Sequence, residues 1–115
     1  MMSLLDPRAG HYSLLITDDD ASCRDSIKKV FEPKGYTTYL ASCGREAVKI
    51  ARNEEVHLLI LDVHLPDYSG LETFKIIKKE IRISMPCIFM SGEITKELQI
   101  DLISANAYTL IPKPI

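Results

Sequence analysis

The chain has 115 residues, with 14 Lys and Arg against 16 Asp and Glu for a formal net charge of −2. That is one domain's length, and 46% hydrophobic with 26% charged residues is the balance of a folded globular chain, not a disordered one. The charge gives no footprint for nucleic acid, and runs such as Leu58-Leu59-Ile60-Leu61 fall far short of the roughly 18 apolar residues of a membrane span. Met1-Met2-Ser3-Leu4-Leu5-Asp6 lacks the basic and apolar regions of a secretory signal. Cys23, Cys43 and Cys87 form no CxxC pair and leave an odd count, which fits reduced thiols in a cytoplasmic protein.

Residues 1–12, with Pro7 and Gly10 and no periodicity, read as a tail. Residues 12–17 form a strand candidate. A helix is expected over 21–34, with Ile27, Val30 and Phe31 at i, i+3, i+4 and Gly35 at its C′ position. The β-branched and aromatic stretch 36–40 predicts a second strand, and 44–53 a short helix burying Ala47, Ile50 and Ala51. A third strand follows over 57–62, whose continuous apolar core implies burial on both faces. After a loop over 66–70, a third helix is expected over 71–81, with Leu71, Phe74, Ile77 and Ile81 on one side. Residues 86–90 predict a fourth strand, 93–105 a fourth helix and 108–111 a fifth strand, ended by Pro112 and Pro114. In the fourth helix Ile94, Leu98, Leu102 and Ala105 form one stripe, with Ile100 and Ile103 off it, so a partner surface is expected beside the core face.

Short strands alternating with helices of ten or so residues mean βαβ units, a parallel sheet and helices on both faces. Ligands of such sheets sit at the carboxyl ends of the strands. Those positions hold Asp18, Asp19 and Asp20 after the first strand, Asp62 at the end of the third, Ser91 after the fourth and Lys113 beyond the fifth. Converging carboxylates repel, so either one stays protonated or a cation sits among them. A hard divalent ion, Mg²⁺ or Mn²⁺, suits an all-oxygen set, and no Cys or His set competes for it. An Asp beside such an ion and a Lys is a competent nucleophile towards phosphorus, with a hydroxyl available to bond a phosphoryl oxygen. Strand-end acids and hydroxyls also cap helices, which is the expected role of Asp20. Capping does not explain an acid pair, a third acid and a Lys-Pro together.

These residues resemble the receiver domain of two-component response regulators over 13–115. Leu14-Leu15-Ile16-Thr17-Asp18-Asp19-Asp20 is similar to the family's strand and acid pair. Leu58-Leu59-Ile60-Leu61-Asp62-Val63-His64-Leu65-Pro66 is similar to the acceptor strand, and Gly70 to the glycine of the next loop. Pro86-Cys87-Ile88-Phe89-Met90-Ser91-Gly92 resembles the strand with the Ser/Thr switch, and Lys113-Pro114 the Lys-Pro pair. The resemblance implies a flavodoxin-like α/β fold, a five-stranded parallel sheet of order 2-1-3-4-5 with helices on both faces. It implies phosphorylation of Asp62 by a histidine kinase or phosphotransfer protein, and Mg²⁺ held by Asp18, Asp19, Asp62 and the main-chain carbonyl of His64. Ser91 and Lys113 would bind the phosphoryl group, and His64 and Glu93 would tune its loss. The fourth helix and fifth strand would form a dimer or effector surface.

Leu110 stands where the family usually has Tyr or Phe, and Tyr108 lies two residues earlier. Two other readings are open: a haloacid-dehalogenase-like phosphohydrolase, whose DxD motif Asp62-Val63-His64 lacks, and a pseudo-receiver that has lost the chemistry, although its residues remain. A receiver continues into a fifth helix, and none follows Lys113. Residues beyond Ile115, or another chain, are therefore expected to cover one sheet face.

Overall fold

A computed structural model describes residues 12–81, 85–105 and 109–113. Five strands and four α-helices alternate through them: β1 (Ser13–Thr17), α1 (Ala21–Phe31), β2 (Thr37–Ala41), α2 (Gly44–Asn53), β3 (Leu58–Asp62), α3 (Gly70–Ile81), β4 (Cys87–Ser91), α4 (Lys96–Ser104) and β5 (Thr109–Pro112). The strands form one parallel sheet in the order β2-β1-β3-β4-β5, as expected. The central strands β1 and β3 are buried along four of their five residues, which is why they read as unbroken apolar runs.

Because side chains alternate along a strand, the sheet makes two cores. Leu15, Leu59, Leu61 and Phe89 face Val48 and Ala51 of α2, Phe74 and Ile77 of α3, and Leu102 of α4. Ile16, Ile60 and Met90 face the opposite way and meet Ile27 of α1. Among the described residues only α1 contributes a buried helical side chain to that second core, and Ile88 and Ile111 are half-buried there.

Several boundaries move for identifiable reasons. Asp20 caps α1 as expected, its carboxylate accepting the Ser22 N–H at 2.9 Å. The expected 21–34 helix tightens into a 3-10 turn over Glu32–Lys34, where Pro33 cannot donate, and ends at Gly35 with φ 95°. Val30 is not a core residue; it is 49% exposed, because α1 turns Ile27 inwards. The third helix begins at Gly70 through a capping box: the Glu72 N–H donates to Ser69 Oγ, and the Ser69 N–H to Glu72 Oε1. The fourth helix starts later than residue 93 because Thr95 caps it, Oγ1 accepting the Leu98 N–H at 3.1 Å. Ile100 and Ile103 are exposed at 56% and 66%, off the core stripe as anticipated.

Candidate functional site: an acidic pocket with one lysine

The parallel sheet sends every strand's carboxyl end to one edge, and the pocket forms there. Asp18 follows β1, and its N–H donates to the Ala41 carbonyl, so the chain leaves the sheet beside the end of β2. Asp62 is the last residue of β3; its neighbour Val63 donates to the Met90 carbonyl. Lys113 follows β5, tied by its N–H to the Ser91 carbonyl at 2.9 Å. Asp18 is fully buried and Asp62 4% exposed, whereas Asp19 is exposed.

Lys113 Nζ donates to Asp62 Oδ2 at 3.0 Å and lies 3.0 Å from Asp18 Oδ2. Asp62 Oδ1 accepts the His64 N–H at 3.1 Å, and Asp18 Oδ1 the Asp20 N–H at 2.9 Å. Asp18 Oδ2, although close to the ammonium, has no N–H or O–H aligned on it. Carboxylate oxygens of Asp18, Asp19 and Asp62 lie within 4.8 Å of one another. A buried oxygen that shares its ammonium with a second acid, beside two more carboxylates, suits a hard cation, so the donor set fits Mg²⁺.

The two buried acids titrate in opposite directions. Burial raises Asp18, but the Cys23 thiol, the Asp20 N–H and Lys113 more than offset it and leave it low. Burial also raises Asp62; the His64 N–H and Lys113 only partly compensate, Asp18 adds repulsion, and the carboxyl is left raised from its ordinary value. Lys113 loses to burial but gains more from both carboxylates, so it remains charged. One ammonium is shared by two acids, and Asp62 is left short of compensation.

Ser91 is fully buried, and its Oγ is engaged by its own loop, donating to the Glu93 carbonyl at 2.6 Å and accepting the Glu93 N–H at 3.2 Å. Gly70 matters through its missing side chain: a Cβ there would lie 2.2 Å from the Asp62 carbonyl oxygen. Its N–H donates to the Val63 carbonyl at 2.8 Å, closing the loop directly over the strand end.

Residues 14–115 match the family model described as the response regulator receiver domain. The chain belongs to that family. It is 35% identical over 97 residues to the transcriptional regulatory protein CrdR of Helicobacter pylori, covering 84% of this chain and 43% of that protein. It is 35% identical over 103 residues to a putative response regulator NtrX-like of Rickettsia felis, covering 88% of this chain and 22% of that one. A response regulator receiver domain protein (CheY-like) from Methanospirillum hungatei JF-1 superposes with a TM-score of 0.83 at 32% identity, over 90% of this chain and 82% of that one. The receiver spans less than half the length of these curated relatives.

The structure brings Asp18, Asp19, Asp62 and Lys113 to one pocket of this receiver. His64 and Glu93 are both exposed, and no hydrogen bond or ion pair joins their side chains. Leu110 packs against the larger core, while Tyr108 lies outside the described residues. Two pocket neighbours were not anticipated. Cys23 lies against Asp18, its thiol pushed up to about 12 by burial first and by Asp18 second. Arg24 donates to the Asp18 carbonyl. Both sit in the first turn of α1, and the weak signal for them was that this turn directly follows the acid pair.

Proposed function

We propose that this receiver accepts a phosphoryl group on Asp62 from the phosphohistidine of a histidine kinase or phosphotransfer protein. The observation carrying this reading is the under-compensated acid: Asp62 shares the single Lys113 ammonium with Asp18, and burial and repulsion raise it. An Asp62 carboxylate oxygen attacks phosphorus, the new O–P bond forms as the P–N bond breaks, and the imidazole leaves. Asp18, Asp19, Asp62 and the His64 main-chain carbonyl would hold Mg²⁺ or Mn²⁺, which neutralises phosphoryl oxygens when bound. Lys113 already reaches Asp62 and pairs with the incoming charge. Ser91 Oγ would exchange its Glu93 partners for a phosphoryl oxygen.

Catalysis is confined to Asp62 itself, so the domain is a signalling module and not a turnover enzyme. No described helix is long and apolar enough to cross a membrane, and we assign the domain to the cytoplasm. The exposed Ile100 and Ile103 support an output surface on α4 that, with β5, would offer a dimer face to a second copy. His64, two residues past Asp62, and Glu93, two past Ser91, would restrict the attacking water and slow hydrolysis.

Beryllofluoride or acetyl phosphate with Mg²⁺ tests the reading. A stable adduct in wild type that disappears in Asp62→Asn supports it; no adduct supports a pseudo-receiver, and rapid turnover of phosphate monoesters an enzyme. A shorter aspartyl-phosphate lifetime in His64→Ala supports the shielding role, and an unchanged one removes it.

A further inference from the structure

The loop over 63–70 joins the proposed acceptor to α3. Its base is closed by backbone, Val63 to Met90 at 2.9 Å and Gly70 to Val63 at 2.8 Å. Its crest is held by a side chain. Asp67 Oδ1 accepts the Gly44 N–H and Oδ2 the Arg45 N–H, both at 2.8 Å. These are the first two residues of α2, and the preceding Cys43, extended at φ −155° and ψ 168°, makes no side-chain cap. A free helix N-terminus needs an acceptor, and here it comes from another part of the chain.

The contact is built into α2 as well. A Cβ on Gly44 would lie 2.4 Å from Thr73 Oγ1 of α3 and 3.0 Å from Tyr68 Cβ of the loop, so glycine lets α2 approach both this closely. Burial raises the Asp67 carboxyl, but the N–H groups of Arg45, Gly44 and Tyr68 outweigh it and hold it at about 2.

Between base and crest lies His64, whose N–H reaches Asp62 and whose carbonyl is the metal ligand proposed above. Only Leu65 and Pro66 separate it from Asp67, and Pro66 restricts both its own φ and the residue before it. Fixing Asp67 therefore limits where the His64 peptide groups can go. We propose that Asp67 is a positioning residue for the acceptor pocket: it ties the 63–70 loop to the N-terminus of α2 and so holds the His64 peptide groups in place against Asp62. The inference rests on the receiver reading of the pocket. Asp67 itself touches neither metal nor phosphoryl group.

Mg²⁺ titration of the full chain, followed by amide chemical shifts, tests this alongside thermal midpoints. The variants are Asp67→Ala, Asp67→Asn, and Asp67→Ala combined with Cys43→Ser. The serine supplies α2 with a local cap but no tether. Asp67→Ala is expected to weaken Mg²⁺ binding about tenfold, the scale of losing a residue that orients a metal ligand. Asp67→Asn keeps one acceptor oxygen and loses less. The double variant regains thermal stability but not Mg²⁺ affinity, and with Asp67→Asn it carries the comparison if Asp67→Ala does not fold. Unchanged affinity in Asp67→Ala overturns the inference, as does affinity that returns with stability in the double variant, since Asp67 is then only a helix cap. Failure of wild type to bind Mg²⁺ overturns the receiver reading and the inference together.

Discussion

Asp62 and Asp67 stand on the same stretch of chain and are treated in opposite ways. Asp62 is buried, receives one backbone N–H and half-claims one ammonium, and its carboxyl is pushed up. Asp67 is exposed, receives backbone N–H groups on both oxygens, and its carboxyl is held at about 2. Intuition from burial alone would leave the exposed acid unshifted. Donor count decides instead: hydrogen bonds to the charged form stabilise it wherever they are supplied. The fold directs backbone donors to Asp67, the proposed positioning acid, and supplies fewer to Asp62, the proposed acceptor.

Replacing Asp62 should break the comparison most completely. Asp62→Asn is expected to lose the beryllofluoride adduct entirely while raising Mg²⁺-free stability by about 1 kcal/mol, since one of two repelling buried charges is gone. Chemical melts without metal would show it, and an unchanged or lowered stability would contradict the account of Asp62. Gly70→Ala comes next. Its Cβ would meet the backbone oxygen of Asp62, which has little room to give, so a loss of about 2–4 kcal/mol is expected together with phosphoryl acceptance. Lys113→Met removes the shared ammonium and strands both acids. With Lys113 partly exposed, the expected loss is about 2 kcal/mol at neutral pH, below the 3–5 of a fully buried pair, and millimolar Mg²⁺ should recover part of it.

The smallest effects appear in the pH dependence, where the two acids differ in sign. Asp67 is lowered, so its contribution is present above the ordinary carboxylate range near 4 and fades as pH falls towards about 2. Asp62 is raised, so the fold gains from its protonation as pH falls through its raised value and loses that gain as pH climbs. Melts between pH 2 and 6 are expected to show a flatter acid limb in Asp67→Asn and a steeper one in Asp62→Asn. At neutral pH Asp67→Asn costs less than about 1 kcal/mol, because an exposed cap is screened. Parallel pH profiles for both variants would refute the opposition.

The parallel sheet and the pocket members were readable from periodic signals, since apolar runs give strands and the residues after each run reach the same edge; the strand order came from the family resemblance and not from periodicity. Boundaries slipped where caps decide them. Ser69 and Glu72 form a capping box visible in the sequence, and Thr95 is a cap three residues before Leu98; either could have moved a helix start. Val30 followed the helical period yet faces solvent, because periodicity finds a stripe without saying how wide the covering core is. Asp67 had no local signature at all. Its partners Gly44 and Arg45 lie more than twenty residues earlier, and the one hint was negative, a cysteine where a helix needs a cap. The inequality between Asp18 and Asp62 was also invisible, since it depends on which acid the Cys23 thiol and the backbone N–H groups reach.

The buried hydroxyl of Ser91 has a consequence for how a message leaves this domain. Without water to fall back on, it must always have a partner, and its resting partners belong to Glu93 two residues along. Any position between that loop and a phosphoryl oxygen strands the hydroxyl at a cost of about 1–3 kcal/mol. If Ser91 binds the phosphoryl group as proposed, the segment leading through Ile94 to the cap of α4 would have two stopping places and an unfavourable stretch between them. Signal strength would then be carried by how many molecules have crossed, and not by how far each has moved.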